Sequence, residues 1–486
     1  MILSSPRRSV STATPASRAD RRRSRTASSA GRRGATALAV VALTAVPAAA
    51  LAPAASAAAP AGATAAAPAA APTLTVASSL GAPAVGLPAT VTGAGFTAGS
   101  AVTLTFDGAP ISTSAPVAAD DTGAFTATIQ VPAGIPVGPH ALVATDAAGV
   151  TATSSRIYVF AAQTPIFGAE RFTVAQQPLN TGLYQARYSL RRDALWVSST
   201  EFKDDDTTPS KLELVDRRTL KVRRTIDVSA DGGQTAFGVG VDDRHDTVWA
   251  TNTLEGQATV WSQSTGRRLA TLDGVDHARD IAIDPVRERA YVSAYGGNQV
   301  AVFDTKRLTR VATIDTGADS GPTSIALDVA RGRLYVAALD ENAVLAIDTR
   351  RNAIADRWPT GQRDVTGLGV DPIRNRVYAT GTASGDVVQL DGRTGKVRWT
   401  RATGGGALSV TPDPITGRVF AANRLERSTT VLDPKDGKIL ANLDVGPNPN
   451  NVTLVGGTAF VVNKGEPTEA GHDTITKIAP GTVGRR

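Results

Sequence analysis

Between residues 170 and 480, apolar and polar residues alternate in short segments, which is typical of half-buried β-strands. The segments return in units of about 42 residues, with four segments to a unit and turn-forming residues between them. One unit supplies Asp280–Ile283, Ala290–Ser293, Gln299–Phe303 and Arg310–Asp315. Four short antiparallel strands per repeat is the pattern of a propeller blade, so this region is predicted to be all-β.

Each unit carries one aromatic residue at an equivalent place in its second segment. The seven are Trp196, Trp249, Tyr291, Tyr335, Tyr378, Phe420 and Phe460. A single blade cannot bury both of its faces, so the units must stack around a common axis. The sequence therefore predicts a seven-bladed β-propeller over residues 170–480. It also favours core packing between blades over cofactor stacking for these aromatics.

The ring is predicted to close with a strand from before the first unit. The seventh unit has only three segments, Asn451–Val455, Ala459–Asn463 and Thr474–Ile478. An alternating segment at Glu170–Ala175 precedes the first unit and is predicted to be its missing fourth strand. Pairing the two chain ends in this way would hide edges that an open ring leaves exposed.

Residues 73–160 show a different pattern, with short alternating segments about ten residues apart and turn signals between them. This spacing predicts a β-sandwich of about 90 residues. The segments are Thr73–Val76, Ala89–Thr92, Ala101–Phe106, Ala124–Val131, His140–Thr145 and Arg156–Phe160. His140, the one histidine in this region, is predicted to be a surface residue of its strand.

The first 57 residues have the three parts of an export signal. An arginine-rich stretch precedes the apolar run Ala35–Ala52, and Ala55-Ser56-Ala57 fits the small-residue cleavage pattern. Arg32-Arg33 leaves twin-arginine export open beside ordinary secretion. The mature protein is expected outside the cytoplasm, secreted or associated with the cell wall, as a monomer without a membrane span. Residues 58–72, rich in Ala and Pro, and 161–169 are predicted linkers.

Charge and cysteine content exclude several classes of function. The formal charge is +7, but residues 1–57 hold nine arginines and one acid, which leaves 42 basic and 43 acidic residues in the rest. The basic balance therefore belongs to the leader and gives no general support for polyanion binding. With no cysteine, the chain has no thiolate metal site, iron–sulfur cluster or cysteine nucleophile. Its four histidines provide few imidazole ligands for a metal ion. No cofactor or metal is predicted.

Two stretches resemble known families. Asp284-Pro285, Arg289–Val292, Val300–Asp304 and Val311–Gly317 resemble the YVTN family β-propeller repeat. That repeat occurs in surface-layer, YncE-type and lactonase-like proteins. The runs Val91–Val102, Val131–Gly134 and His140–Leu142 are similar to bacterial immunoglobulin-like domains, whose usual roles are as spacers or adhesive units.

Propellers usually bind ligands on the face formed by the loop leading into each blade and the loop between its second and third strands. Applied to this repeat, the rule gives candidate ligand-binding residues around the mouth of the central channel. They are His277, Arg279, Arg363, Asp364, Arg424, His472 and Asp473, with Tyr295, Asp340, Glu426 and Lys464 on the same face. His277 and His472-Asp473 are candidates for an acid–base pair. The run Asp204–Asp206 is interpreted as a solvated acidic loop rather than a calcium site.

Arginines mark the turns of the opposite face, here called the underside. The binding candidates there are Arg307, Arg350, Arg351 and Arg393, and Arg244, Arg287, Arg331 and Arg374 occupy further turns. Two interpretations stay open. The favoured one is turn structure and pairing between blades, and the other is binding of an anionic wall polymer or nucleic acid.

Three functions are consistent with the sequence. The leading one is a non-catalytic secreted or cell-surface propeller that binds an extracellular polymer, protein or small ligand. The second, which the resemblance implies, is a lactonase-like or lyase-like enzyme with its site at the channel mouth. The third is a nucleic-acid-binding propeller, which the nearly neutral charge after residue 57 disfavours.

Overall fold

The structure is a computed structural model, which describes residues 71–77, 83–160, 164–200, 209–230, 235–465 and 473–481. Within these ranges the chain forms β-strands and two short 3-10 turns, at Ala169–Arg171 and Arg424–Glu426. No helix in the described part is long and apolar enough to cross a membrane. The protein is therefore all-β over the residues described, as its sequence predicts.

Residues 73–159 form two antiparallel sheets around one core. One sheet is β1-β2-β6 and the other is β4-β3-β7-β8, with β5 paired to β3. Their bounds are β1 Thr73–Ala77, β2 Pro88–Ala94, β3 Ala101–Phe106, β4 Ala109–Pro110, β5 Val117–Ala118, β6 Phe125–Gln130, β7 Gly138–Asp146 and β8 Thr151–Val159. Alternate residues of both sheets, among them Val91, Leu104 and Leu142, point into the shared core, which explains the period of two in the sequence.

His140 does not lie on the surface, and the prediction for it was wrong. Its residue is 8% exposed. The ring nitrogens lie 2.6 Å from Asp107 Oδ2 and 2.7 Å from the carbonyl oxygen of Pro136. A buried imidazole is tolerated here because both of its nitrogens have polar partners.

The rest of the chain forms seven four-stranded antiparallel sheets, named sheets 1 to 7 in chain order. The strand before them is β9, Phe172–Pro178. Sheet 1 is β10 Leu183–Ser189, β11 Ala194–Ser199, β12 Lys211–Asp216, β13 Val222–Asp227; sheet 2 is β14 Val239–Asp242, β15 Thr247–Asn252, β16 Gln257–Ser262, β17 Arg268–Asp273; sheet 3 is β18 Ala278–Asp284, β19 Arg289–Ala294, β20 Gln299–Asp304, β21 Thr309–Asp315. Sheet 4 is β22 Pro322–Asp328, β23 Arg333–Ala338, β24 Ala343–Asp348, β25 Ala353–Pro359; sheet 5 is β26 Val365–Asp371, β27 Arg376–Gly381, β28 Asp386–Asp391, β29 Val397–Ala402; sheet 6 is β30 Ala407–Pro412, β31 Val419–Asn423, β32 Ser428–Leu432, β33 Ile439–Asp444; sheet 7 is β34 Pro449–Val455, β35 Thr458–Asn463, β36 Thr474–Pro480 and β9.

The sheets form a closed cycle in a propeller-like repeat architecture. The first strand of each sheet lies beside the first strand of the next, and β34 lies beside β10. The cycle closes as the sequence predicts, because β9 is the outermost strand of sheet 7, with Phe172 opposite Pro480 and Pro178 opposite Thr474. The closing strand begins two residues later than predicted, since Ala169–Arg171 forms the 3-10 turn.

The seven repeat aromatics are buried between the sheets, as predicted. Each belongs to the second strand of its sheet, and none is more than 2% exposed. Trp249 shows the arrangement, because it packs with Ile281 and Phe303 of sheet 3, its ring centroid lying 6.3 Å from that of Phe303. Each aromatic thus fills the space between consecutive sheets, where its large apolar area is removed from water.

On the underside, aspartates and arginines hold the turns and join neighbouring sheets. Asp284 Oδ1 accepts the backbone N–H groups of Val286 and Arg287 at 3.0 and 2.9 Å. The guanidinium of Arg287 donates to Asp284 Oδ2 at 2.8 Å and to the carbonyl of Val329 in sheet 4 at 3.0 Å. Arg331 and Arg374 repeat this arrangement one and two sheets further on. For these three arginines, turn structure and pairing between sheets is the interpretation that holds.

Candidate functional site at the channel mouth

The mouth is the face where the first strands begin. In six of the seven sheets the pairing of the first strand with the second shifts register just after the first residue pair. A β-bulge of this kind bends the strand and redirects the extra side chain. The residues at these shifts, with Phe237 just before β14 in sheet 2, are Tyr184, Phe237, Arg279, Thr323, Thr366, Leu408 and Asn450.

Hydroxyl groups of the second strands hold these rim residues in place. Thr251 Oγ1 donates to the carbonyl of Arg279 at 2.9 Å, and Ser293 Oγ donates to that of Thr323 at 2.5 Å. Asn450 Nδ2 donates to the carbonyl of Tyr184 at 2.8 Å, across the junction of sheets 7 and 1. At these three junctions one sheet fixes the rim of its neighbour, so this part of the mouth is built on the packed strands.

Tyr184 lies at the centre of a group of cations. Its ring packs edge-on against Phe237, with 4.3 Å between centroids, and Lys464 Nζ lies 5.3 Å from the Tyr184 centroid. Burial raises the pKa of the Tyr184 phenol, but the charges of Arg279, Lys464 and Arg424, with a hydrogen bond from Arg279, bring the pKa below its ordinary value. These four residues, named here the Tyr184 cluster, come from sheets 1, 3, 6 and 7.

His277 and Tyr295 lie beside the cluster, on the side of sheet 3. Their ring centroids are 5.3 Å apart. Burial and the charge of Arg279 lower the pKa of His277, although Asp276 opposes the shift, so the imidazole is neutral at neutral pH. Burial and the charge of Asp340 raise the pKa of Tyr295, while Arg279 lowers it in part. Tyr295 therefore stands between the cationic cluster and a more acidic part of the rim.

The acidic part of the rim belongs to sheets 4 and 5. Burial raises the pKa of Asp340, and the carboxylates of Asp364 and Asp319 raise it further. The close approach of Asp340 to the loop before β22 requires a glycine, since a Cβ on Gly321 would lie 2.4 Å from Asp340 Oδ2. Gly321 also has a φ of +58°, which other residues adopt at a cost. Among the described residues, the rim thus carries cations around Tyr184 and carboxylates around Asp340.

Deeper along the first strands, an ion pair between a partly exposed arginine and a buried aspartate crosses from sheet 1 to sheet 3. Arg187 Nη2 donates to Asp280 Oδ1 at 3.2 Å. The second oxygen, Asp280 Oδ2, accepts Ser324 Oγ at 2.9 Å and the backbone N–H of Ile325 at 3.1 Å. Both oxygens of Asp280 are bonded, so this carboxylate fixes three sheets to one another and is not presented to a ligand.

Asp473, a predicted ligand-binding residue, instead holds the backbone together at the closure of the ring. Its oxygens accept the N–H groups of Gly182, Leu183 and Gly465 at 2.7, 2.9 and 3.0 Å. Burial raises the pKa of Asp473, and the three amides lower it in part. It therefore has a structural role. His472, its predicted partner, lies outside the described residues, as does Asp204–Asp206.

Arg363 and Asp364 contact the two-sheet domain rather than the cluster. Tyr158 of β8 donates its hydroxyl to Asp364 Oδ2 at 2.6 Å. Burial, together with this bond and the carboxylate charge, raises the pKa of Tyr158 well above its ordinary value. Arg363 lies against Gly138, where a Cβ would be 3.1 Å from Nη1. The two-sheet domain consequently covers the rim at sheet 5.

Glu426 binds the segment that joins the two-sheet domain to sheet 7. The side chain is buried beneath Gly404–Gly406, where Oε1 accepts the N–H of Gly405 at 2.7 Å and Oε2 accepts that of Thr164 at 3.0 Å. Asn442 of β33 donates to the carbonyl of the same Thr164 at 2.9 Å. Burial raises the pKa of Glu426 to about 7, although both amide bonds lower it.

We expect Glu426 to make stability depend on pH near neutrality. Between its unfolded pKa of about 4.3 and about 7, the folded protein holds a proton on Glu426 that the unfolded chain releases. Stability therefore falls as the pH rises through this window, by about 3 kcal/mol. Urea unfolding of the wild type and Glu426→Gln from pH 4.5 to 8 measures the effect as the difference between the two curves. A difference that is flat with pH would contradict the assignment.

The four underside candidates present their side chains to solvent. The Arg307 side chain is 79% exposed and lies 3.5 Å from Asp304. Arg350, Arg351 and Arg393 are exposed. The backbone N–H groups of Arg350 and Arg351 donate to the Asp348 carboxylate, and that of Arg393 donates to the Asp391 carboxylate. In the described part of the chain the guanidinium groups of Arg350, Arg351 and Arg393 make no hydrogen bond or ion pair within 4 Å. Their neighbouring aspartates keep the local charge balanced.

Sequence reasoning found Arg279, Arg424 and His277 but missed Tyr184 and Phe237. The available signal was position, because Tyr184 and Arg279 both stand next to the first paired residue of their first strand. Aligning the units at that residue would have placed an aromatic side chain on the rim in sheet 1. Among the described residues there is no group of three or more His, Cys, Asp or Glu side chains that could hold a metal ion.

Comparison with known proteins supports the repeat architecture. The PQQ_2 family model, described as outer membrane protein assembly factor BamB, matches residues 350–466. This stretch contains sheets 5 and 6 complete, with β25 before them and β34 and β35 after them. The match is to a β-propeller-type repeat family over a minority of the chain. A search of curated proteins finds no match to this chain.

Proposed function

We propose that this chain is an exported, non-catalytic binding protein that takes an extracellular ligand at its channel mouth. The observation that carries the proposal is the Tyr184 cluster with Phe237, in which aromatic and charged side chains from five sheets converge on one rim. Ligand sites are usually lined by apolar and aromatic side chains, with a small number of polar groups that orient the ligand. The export signal predicted in residues 1–57 supports a ligand found outside the cytoplasm, such as another secreted protein or a wall polymer.

We also propose the finer description of the fold, a seven-bladed YVTN-type propeller that follows an immunoglobulin-like sandwich. The seven four-stranded sheets and the closing strand β9 support the blade count. The Asp-Pro turns and the buried aromatic residue in the second strand of each sheet support the repeat type. Two antiparallel sheets around a single core support the sandwich.

The role proposed for the sandwich is to limit access to the mouth. It occupies the rim at sheet 5 through Tyr158 and Asp364, and the segment after it is held at sheet 6 through Thr164 and Glu426. A ligand would therefore approach from the side of sheets 1 to 3, where the partly exposed Tyr184 and Tyr295 lie. A spacer fixed in this way would also hold the ring at a set orientation to the surface that carries it.

Ligand-induced stabilisation tests the proposed function. We expect wall fragments and culture filtrate from the source cells to contain a compound that raises the Tm of the secreted protein by several degrees. The rise is expected to disappear in Tyr184→Ala, because the partly exposed Tyr184 ring lies at the mouth, and to persist in Val286→Ala at an exposed turn of the underside. A stabilising compound that acts equally on both variants would show that the mouth is not its site.

One observation favours a catalytic alternative at the same mouth. His277 is mostly neutral at neutral pH, the form in which an imidazole acts as a general base, and its ring lies beside the Tyr295 phenol. Mass analysis of the ligand after incubation distinguishes the two functions. Turnover that stops in His277→Gln would establish the enzyme, whereas recovery of the ligand unchanged fits the binding protein.

A further inference from the structure

The charges that act most strongly on the Tyr184 phenol are all positive. They belong to Arg279 of sheet 3, Lys464 of sheet 7 and Arg424 of sheet 6. These residues are far apart in the sequence, and only the closed ring brings them to one aromatic ring of sheet 1. The three cations act on one phenol from three different sheets, so their placement depends on the fold.

The fold holds these cations at several points. The backbone of Arg279 is fixed by Thr251, and Arg424 Nη1 lies 3.4 Å from Asn450 Oδ1, while Asn450 in turn donates to the Tyr184 carbonyl. Lys464 lies over the Tyr184 ring in a cation–π contact at 5.3 Å. The geometry is therefore set before any ligand arrives, which lowers the entropy cost of binding.

We infer that the Tyr184 cluster is an oxyanion site, which binds a carboxylate or phosphate group of the ligand. This inference rests on the proposed function, since it assigns the chemistry of the ligand at the same mouth. Arginine forms paired N–H bonds to oxyanions and lysine supplies a point charge, while the tyrosine hydroxyl donates one more bond. Lys464 of sheet 7 lies over the Tyr184 ring, and the charges of Arg279 and Arg424, from sheets 3 and 6, act on the same phenol.

The divided rim sets the direction in which such a ligand binds. Asp340, Asp364 and Asp319 repel an anion from the side of sheets 4 and 5. The anionic group is consequently drawn toward sheets 1, 3, 6 and 7, and its remaining part lies over Tyr295 and His277. An anion in the cluster disfavours the phenolate form of Tyr184, so binding raises the pKa of that phenol.

This change in the Tyr184 pKa provides a test that a purely structural cluster would not pass. The secreted protein is labelled with 13C at tyrosine Cζ, and the Tyr184 signal among the seven tyrosines is assigned by its loss in Tyr184→Phe. The probes are sodium malonate and inorganic phosphate, each compared with sodium chloride at equal ionic strength. Tetramethylammonium chloride is the cationic control. We expect one or both oxyanions to raise the pKa, and the stronger probe indicates the source of the group.

Variants then assign the binding to the cluster. Isothermal titration is expected to show about tenfold weaker malonate or phosphate binding in Arg279→Gln and in Arg424→Gln. Arg279→Lys keeps the charge and should recover part of the loss. Arg398→Gln in β29, the outermost strand of sheet 5, is the matched control at a partly exposed arginine and should bind as the wild type does. Circular dichroism of each variant confirms that its sheets are intact.

Two results would overturn the inference. One is a Tyr184 pKa that neither oxyanion raises, and the other is oxyanion binding equal in Arg279→Gln and wild type. Its failure is distinguishable from failure of the proposed function. If Arg279→Gln keeps the natural ligand's thermal stabilisation while Tyr184→Ala loses it, the mouth binds a ligand without using its charge. If both variants keep it, the mouth is not the binding site.

Discussion

Placing proline at both Ala175 and Gln176 in β9 is expected to lower the free energy of unfolding by about 3 kcal/mol or more. Neighbouring residues of a strand direct their N–H groups to opposite sides, so one of the two prolines removes a bond to β36. Gln176 also donates to the carbonyl of Val445 at 2.7 Å and to Thr476 Oγ1 at 2.9 Å, and both bonds are lost. Urea unfolding measures the change.

The same variant is expected to associate with itself. Detaching β9 exposes the edge of β36, and an unpaired edge is a template for strands of another molecule. Size-exclusion chromatography should show oligomers of the double-proline variant. Ala175→Thr keeps the N–H group and favours extended backbone, so it serves as the control and should remain monomeric. A double-proline variant with wild-type stability would mean that β9 does not close the ring.

Replacing Trp249 with alanine is the second change with a large expected effect. The residue is fully buried against Phe303 and Ile281 of the next sheet, and its indole N–H donates to Thr247 Oγ1 at 3.0 Å. Removing a large buried aromatic side chain costs the lost transfer free energy and leaves a cavity, together about 3–5 kcal/mol.

Leu254→Ala provides the comparison for Trp249→Ala. Leu254 lies in the turn between β15 and β16 and is 67% exposed, so little buried area is lost and its change in unfolding free energy should be within about 0.5 kcal/mol. Urea unfolding of the two variants beside the wild type measures both values. A cost below about 1 kcal/mol for Trp249→Ala would show that sheets 2 and 3 do not pack around this residue.

The repeat could be predicted from the sequence because its signals are local. Alternation with a period of two predicts strands, and Asp284 followed by Pro285 predicts a turn whose bonds involve residues only two and three positions away. The spacing of the aromatics predicts how many units there are. The missing fourth strand of the last unit predicts that β9 pairs with β36, since an open edge is unfavourable.

The candidate site was predicted only in part, because its members meet through the closure of the ring. Asp473 and Asp364 have the charge and loop position expected of ligand contacts. Asp473 instead accepts backbone N–H groups next to sheet 1, and Asp364 accepts the hydroxyl of Tyr158. His140 was misjudged for the same reason, since its partner Asp107 comes from a turn in another part of the sandwich. Neither the neighbours nor the burial of such groups is encoded within a few residues of them.

The amino-acid sequence by itself determined the strands, the length of the repeat, the buried aromatics and the closing strand. These follow from periodicity and from the need to bury apolar surface, which act over short stretches of chain. The tertiary structure alone decided that Tyr184 is surrounded by Arg279, Arg424 and Lys464, and that the sandwich covers the rim at Asp364. Electrostatic interactions depend on distance in space, and residues 184, 279, 424 and 464 become neighbours only when the ring is complete.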